Sequence, residues 1–231
     1  MQSKKSEQKI FFITGTDTDV GKTICCKTLL QAAKQQQLTT VAYKPIAAGC
    51  EITKDGLRND DALVLQQHSN IKVNYHDVNP IAFLQPIAPH IAAQIQNTAI
   101  KTSQITQGLI NLKKYNSDVI LIEGAGGWRL PLNEKETLAD WVIEQQLPVI
   151  LVVGMKLGCL NHAMLTYESI LGDGLKVVGW IANQLQSDMS FSEQNINYLT
   201  QNIKAPLLAE IPYLNDVKNS KLADLVDFDF N

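Results

Sequence analysis

The sequence predicts a doubly wound α/β fold, a mostly parallel sheet flanked by helices. Three observations carry that expectation. Asp118–Glu123 (DVILIE), Val149–Gly154 (VILVVG) and Val177–Asn183 (VVGWIAN) are β-branched runs, apolar nearly throughout, as strands covered on both faces must be. Helical segments fall between them, giving the strand and helix alternation that builds parallel sheets. The 231 residues are 45% hydrophobic and 19% charged, enough apolar material for one sizeable core.

Each element follows in order. Ile10–Thr14 (IFFIT) is a short apolar run that ends in a glycine-containing turn. Lys22–Gln36 then suits a helix through Ile24, Leu29, Leu30 and Ala33. Thr40–Tyr43 reads as a second strand, and residues 47–59, small and polar, as a loop. A helix starts near Asn59, with Asn59 or Asp60 as its cap. Between Asn79 and Tyr115, Pro80, Pro86 and Pro89 break the pattern, leaving weak helical period at Ile91–Ile95 and Ile105–Leu112. Thr137–Gln145, Asn161–Leu171 and Ser192–Asn202 supply the later helices. No linker, repeat or composition break divides the chain, so residues 1–231 are expected to form a single domain.

Composition removes several function classes. Twenty basic residues against twenty-three acidic ones give a net charge of −3, with no footprint for a nucleic-acid backbone. The longest apolar runs are strand-length, short of the ~20 residues of a membrane-spanning helix. Met1–Lys9 is polar and lacks the apolar stretch of a secretory leader, so a cytoplasmic protein is expected. Cys25, Cys26, Cys50 and Cys159 show no C-x-x-C spacing, and His68, His76, His90 and His162 are scattered, so neither a zinc site nor a disulfide framework is indicated.

The chemistry gathers first at Gly15–Thr23 (GTDTDVGKT), between a strand and a helix. It resembles a P-loop and makes the expected fold P-loop NTPase-like. A phosphate cradle needs a nest of backbone N–H groups, a helix N-terminus and a flexible cation, which Gly21, the following helix and Lys22 can supply. Thr23 places a hydroxyl for Mg²⁺. The strict spacing would put glycine at position 16, where the chain has Thr16, one residue after Gly15.

A metal-dependent site also needs carboxylates. Glu123 closes a buried strand just before Gly124-Ala125-Gly126-Gly127, either as a metal ligand beside close backbone or as a strand-end charge meeting solvent. Asp61, one or two residues past the helix cap, taken alone complements the helix dipole. Lys44 follows a strand and precedes Pro45, reading equally as a cation crossing the ligand edge or as a surface lysine. The segments at Gly15, Lys44, Glu123, Gly154 and Asn183 all follow strands, and open parallel sheets bind ligands at that carboxyl edge.

With these residues assembled, the chain resembles the dethiobiotin synthetase family nearly end to end. The marks are GTDTDVGKT at 15–23, YKPIAAG at 43–49, GLRNDDAL at 56–63, NP at 79–80 and PIAPH at 86–90. Further on come EGAGGW at 123–128, LADW at 138–141, LPVILVVGMKLGCLNHAMLT at 147–166, GWIAN at 179–183 and EIPYL at 210–214. The resemblance implies an ATP-dependent ligase of biotin biosynthesis, in which 7,8-diaminononanoate and CO₂ give a carbamate. ATP phosphorylates the carbamate, and the second amine closes the ureido ring, releasing ADP and phosphate.

Carried over by position, Lys22 contacts the transferring phosphates, with Asp19, Val20, Gly21, Thr23 and Ile24 around the nucleotide. Thr23, Asp61 and Glu123 organise Mg²⁺, and Gly124, Ala125 and Gly126 approach the nucleotide. Lys44 stabilises the carbamate, Thr18 borders the substrate amines, and Ala48 stands where some relatives place a substrate-contacting serine. Asn183 and Gln184 lie beside the adenine with Pro212, Tyr213 and Leu214, Gln184 standing where an acidic residue is expected. The substrate tail is expected near Gly158, Cys159, Leu160 and Asn161 of a neighbouring subunit, which implies a homodimer.

The rival reading is a P-loop regulatory ATPase of the partitioning type. Those usually carry a lysine near the start of the phosphate loop, where this chain has Thr16 and Asp17. A non-catalytic nucleotide-binding scaffold would lack the carboxylates or Lys44, and an amidotransferase-coupled synthetase would need more chain.

Overall fold

The computed structural model describes residues 8–215 and 220–230; residues 1–7, which carry most of the polar opening that argued against a leader, lie outside them. In chain order, β1 (Lys9–Gly15), α1 (Lys22–Gln35) and β2 (Thr40–Tyr43) come first. They are followed by the short strands β3 (Ile46–Ala47), β4 (Glu51–Thr53) and β5 (Gly56–Arg58). Next are α2 (Asp60–His68), α3 (Tyr75–Val78), β6 (Ile81–Ala82), α4 (Pro89–Ile95) and α5 (Thr102–Lys113). The second half alternates β7 (Val119–Gly127), α6 (Leu138–Glu144), β8 (Val149–Met155), α7 (Cys159–Gly172), β9 (Val177–Gln184), α8 (Ser192–Asn202) and β10 (Leu207–Ile211).

Six parallel strands form the central sheet in the order β10-β9-β8-β1-β7-β2. The chain leaves β1 for β2 on one side and later builds β8, β9 and β10 on the other. The loops at the carboxyl ends of the central strands therefore diverge, which opens a crevice there. The strands are buried on both faces because alternate side chains serve separate cores. Phe11 and Ile13 of β1, Leu121 of β7 and Val152 of β8 pack on the α1 side. Phe12, Ile120, Ile122 and Leu151 pack on the opposite side with α5, α6 and α7. Among the described residues, no helix is long and apolar enough to cross a membrane.

Residues 47–59, expected as a loop, hold the last residue of β3 and the antiparallel hairpin of β4 and β5. Its strands are three residues each and largely exposed, and the single apolar pair, Ile52 opposite Leu57, is too short a run to read as alternation. β7 runs four residues past Glu123, since the glycines let its backbone follow β1: Ile13 pairs with Glu123 and Gly15 with Gly127, across a register shift. α7 begins at Cys159 rather than Asn161, and α5 at Thr102 rather than Ile105. β10 and the one-turn α3 were not expected as elements.

Where α5 crosses β2, Gly108 faces the fully buried Tyr43, whose hydroxyl donates to Ile105 O at 2.9 Å. A Cβ at position 108 would collide with that hydroxyl oxygen. On an open helix face, glycine to alanine gains about 1 kcal/mol. Here Tyr43 has no room to yield, and overpacking of about 1–3 kcal/mol wins. Gly108→Ala is expected to lower the melting temperature, and adding Tyr43→Phe to restore part of the loss. A Gly108→Ala protein as stable as its parent contradicts this packing.

Candidate active site

The phosphate loop takes its shape from what its glycines admit. Gly15 ends β1 against Val20, and a Cβ there would collide with the Val20 side chain, so the glycine one residue before the usual place serves close packing. Thr16 instead donates its N–H to Val152 O at 3.0 Å, fastening the loop to β8. Gly21 has φ 84, the left-handed region, and a Cβ there would strike the Asn183 amide nitrogen. That nitrogen donates to Val20 O at 2.9 Å, so β9 supports the phosphate loop directly. α1 starts at Lys22 with no side-chain cap, leaving first-turn N–H groups for an anion.

Lys22 is 7% exposed, and its Nζ donates to Asp17 O at 3.0 Å. Burial pulls its pKa below the ordinary lysine value, only partly opposed by Glu123. Lys44 is also buried but has two carboxylates: its ammonium donates to Glu123 Oε1 and lies 3.2 Å from Asp61 Oδ2. Burial pulls its pKa down, but Glu123 and Asp61 outweigh this and hold it above the ordinary lysine range. Lys44 is therefore charged across the working pH range.

Glu123 is not a strand-end charge in water; it is 1% exposed. Its Oε1 accepts from Lys44 and from the Thr23 hydroxyl at 2.9 Å. Burial raises its pKa, with Lys44 and Thr23 resisting. Its Oε2 is buried with no hydrogen-bond partner among the described residues. A buried carboxylate oxygen left unsatisfied is costly. With the Thr23 hydroxyl beside it and Asp61 across Lys44, the donors are hard oxygens of the kind Mg²⁺ takes. Asn59 caps α2 by accepting from Ala62 N at 3.2 Å, so Asp61 sits in the first turn.

These groups meet in one cleft of about 860 Å³. That falls within the usual size of a small-molecule site. Thr18, Asp19, Gly21, Lys22, Thr23 and Ile24 line it along one side. Lys44, Ala48, Asp61, Glu123, Ala125 and Gly126 also line it, as do Asn183, Gln184, Pro212, Tyr213 and Leu214. Gln184 spends its amide on Ser192 Oγ at 2.6 Å.

Two candidates from the same motifs do not line the cleft. Val20 points into the core beneath the loop, and Gly124 lies behind it against Phe12. Gly158, Cys159, Leu160 and Asn161 form the start of α7 and do not line the cleft. The preceding Lys156 ion-pairs with Asp17 at 3.0 Å, which places that turn beside the outer face of the phosphate loop. Asp17 also accepts from Thr18 N, and Lys156 foremost lowers its pKa. Asn59, Pro86, Ile87, Pro89, Leu130 and Leu185 line the cleft without having been singled out as site residues. For the proline pair the PIAPH motif was a signal; for Leu130 and Leu185 there was none.

Comparison with known proteins bears on the fold and the family. The AAA_26 family model, described as an AAA domain, matches residues 9–221. Among solved structures, a ParA family ATPase from Chlorobium tepidum TLS superposes with a TM-score of 0.55 at 14% identity, covering 95% of this chain and 91% of that one. The MinD cell division protein of Aquifex aeolicus gives 0.56 at 14% identity, covering 92% and 86%. At such identity the likeness shows the P-loop NTPase fold alone. The ATP-dependent dethiobiotin synthetase BioD of Aliivibrio salmonicida (strain LFI1238) is 48% identical over 95% of this chain and 96% of its own. That of Aeromonas salmonicida (strain A449) is 48% identical over 95% and 97%. Identity near one half along almost the whole of both chains is kinship rather than a shared scaffold, and the chain belongs to the ATP-dependent dethiobiotin synthetase family.

Proposed function

We propose that this protein is a cyclo-ligase that closes a ureido ring on 7,8-diaminononanoate, using CO₂ and one ATP and releasing dethiobiotin, ADP and phosphate. One observation supports this reading most: a charged, buried lysine stands between two carboxylates in the same cleft as a phosphate cradle. An amine of the substrate adds to CO₂ and loses a proton, leaving an anionic carbamate. A carbamate oxygen attacks the γ-phosphorus, ADP leaves, and a carbamic-phosphoric anhydride results. The second amine attacks its carbonyl carbon, the C–O bond to phosphate breaks, and phosphate departs.

The protein's share is positioning and charge neutralisation. Lys22 leaves Asp17 O for the β- and γ-phosphate oxygens, which repay its buried charge. Lys44 holds the carbamate and the charge that develops on transfer; a compact ammonium fits a crowded anion site better than a planar guanidinium. Thr18 borders the amines from the phosphate loop. Thr23, Asp61 and the unpartnered oxygen of Glu123 would hold Mg²⁺, which when bound neutralises phosphate charge. Asn183 and the turn at Pro212–Leu214 border the base.

In this reading residues 1–231 act as one cytoplasmic domain; the four cysteines, free and buried, suit a reducing compartment. A second copy supplies Gly158, Cys159, Leu160 and Asn161 to the substrate tail, their helix-start N–H groups facing its carboxylate. Leu157, fully exposed in the single chain, accords with such a contact.

The direct test is phosphate release with ATP, Mg²⁺, bicarbonate and the diamine, each omitted in turn. Release is expected only with all four present; release indifferent to the diamine and bicarbonate would identify a switch ATPase instead. Lys44→Ala is expected to reduce turnover by at least about 100-fold with ATP affinity little changed. It should also destabilise the fold, because Glu123 is left buried without its cation, a loss of about 3–5 kcal/mol. Parental turnover in that variant removes Lys44 from the chemistry. Glu123→Gln is expected to raise the Mg²⁺ concentration needed for half-maximal rate by about tenfold or more; an unchanged titration refutes the ligand assignment.

The lowered pKa of Lys22 sets the sign of a pH effect. As pH rises, Lys22 loses its proton before Lys44 does, and the phosphates lose a cation. kcat/KM for ATP, which reports the free enzyme, should therefore fall on the alkaline side below the ordinary lysine value of about 10.4. A profile flat to that value contradicts the assignment.

A further inference from the structure

A second set of buried contacts joins the strand end that carries Lys44 to the helix that carries Asp61. Asn79 is 2% exposed, and its Nδ2 donates to Lys44 O at 2.7 Å and to Ile81 O at 3.3 Å. Its Oδ1 accepts from the Tyr75 hydroxyl at 3.0 Å. That same hydroxyl oxygen accepts the Asn59 N–H at 2.7 Å. Asn59 is the N-cap of α2, two residues before Asp61, and its own amide donates to Ala48 O at 3.3 Å. The Lys44 N–H meanwhile donates to Val78 O at 2.8 Å, so α3 and the residue after it grip Lys44 by both its backbone groups. The Arg58 guanidinium lies over the Tyr75 ring, 4.2 Å from its centroid, and covers the assembly.

We propose that Tyr75 and Asn79 are positioning residues for the metal-dependent step. The Tyr75 hydroxyl serves as acceptor toward the start of α2 and as donor toward the amide holding the Lys44 carbonyl. One oxygen atom thereby fixes the distance between the Lys44 ammonium and the Asp61 carboxylate, and with it the balance of Asp61 between lysine and metal. The inference rests on the reading of Asp61 and Glu123 as Mg²⁺ ligands. Groups that orient ligands in this way typically change metal affinity or activity by 10- to 100-fold when removed.

Tyr75→Phe keeps the ring and the Arg58 contact and removes only the hydroxyl. A control is at hand in Tyr115, whose hydroxyl donates to Asp77 Oδ2 at 3.0 Å, so that it too anchors α3 but away from Lys44. Mg²⁺ is titrated by calorimetry into each protein loaded with a non-hydrolysable ATP analogue, alongside nucleotide binding in chelator, melting temperature and steady-state rates. Tyr75→Phe is expected to weaken Mg²⁺ by about tenfold and to lower kcat, with metal-free nucleotide affinity unchanged. Tyr115→Phe should leave Mg²⁺ affinity at the parental value even where it lowers the melting temperature. Asn79→Ser should move Mg²⁺ affinity in the same direction as Tyr75→Phe.

Parental Mg²⁺ affinity in both Tyr75→Phe and Asn79→Ser overturns the proposal. So does an equal loss in Tyr115→Phe, which would mean general loosening of α3. The metal titration needs no turnover. A protein that binds Mg²⁺ and nucleotide as described yet never converts the diamine would sink the proposed reaction and leave this result standing.

Discussion

A charge removed from water is tolerated only when an opposite charge or a full set of hydrogen bonds replaces the solvent. Lys44 and Glu123 are 4% and 1% exposed and meet at the carboxyl edge of the sheet. Neither could stay there alone. The pair requires β2 to end beside β7, which the parallel register of Tyr43 with Ile122 provides. It also requires Thr23, on the first turn of α1, to reach the same oxygen of Glu123. The phosphate loop, the second strand and the end of β7 are thus tied to one another through a single carboxylate oxygen, while the other oxygen of Glu123 has no hydrogen-bond partner among the described residues.

Part of the cleft is built from strand ends: Glu123, Ala125 and Gly126 of β7 and Asn183 and Gln184 of β9 line it. Side chains at strand ends are fixed by sheet register, whose tolerance is small because a slip of one residue reverses every side chain. The nucleotide's expected path follows β1, β7 and β9, and Asn183 on β9 supports the phosphate loop from below. Asp61 differs: it sits on a helix outside the sheet, with nearly half its side chain exposed. Its position has to be set by other means, and the capped, tethered start of α2 supplies them.

What the sequence disclosed follows the same division. The strands at Lys9–Gly15, Thr40–Tyr43, Val149–Met155 and Val177–Gln184 are continuous apolar runs because both their faces are covered, so they were visible in outline. The hairpin within 51–58 has strands of three residues with one apolar pair, Ile52 opposite Leu57, too short to show a period. In the phosphate loop the motif located the site but not the direction of each side chain: Thr18 and Asp19 face the cleft, while Val20, between Asp19 and Gly21, turns into the core. The sequence leaves Asn59 and Asp60 as alternative caps of α2; Asn59 is the cap, and it also borders the cleft. Asn79 stood in a recognised motif without a role, because its partners, Tyr75 and the Lys44 carbonyl, become neighbours only in three dimensions. Leu130 and Leu185 reach the cleft through loops whose course no periodicity describes.

The two buried lysines divide the electrostatic work because their surroundings differ in one respect. Lys44 faces two carboxylates at contact distance, so its charge is held whether or not a ligand is present. Lys22, equally enclosed, donates to the carbonyl of Asp17 and makes no ion pair at contact distance among the described residues, and burial lowers its hold on the proton. In the proposed reaction an incoming triphosphate gives Lys22 the counter-charge it lacks, and relief of that buried charge favours binding. Lys44 gains no such relief from the nucleotide, and its full charge remains for an anion that arrives on the other side of the cleft. The proposed reaction, which neutralises a triphosphate and a small carbamate in turn, is served by one cation that waits for its partner and one that never loses its charge.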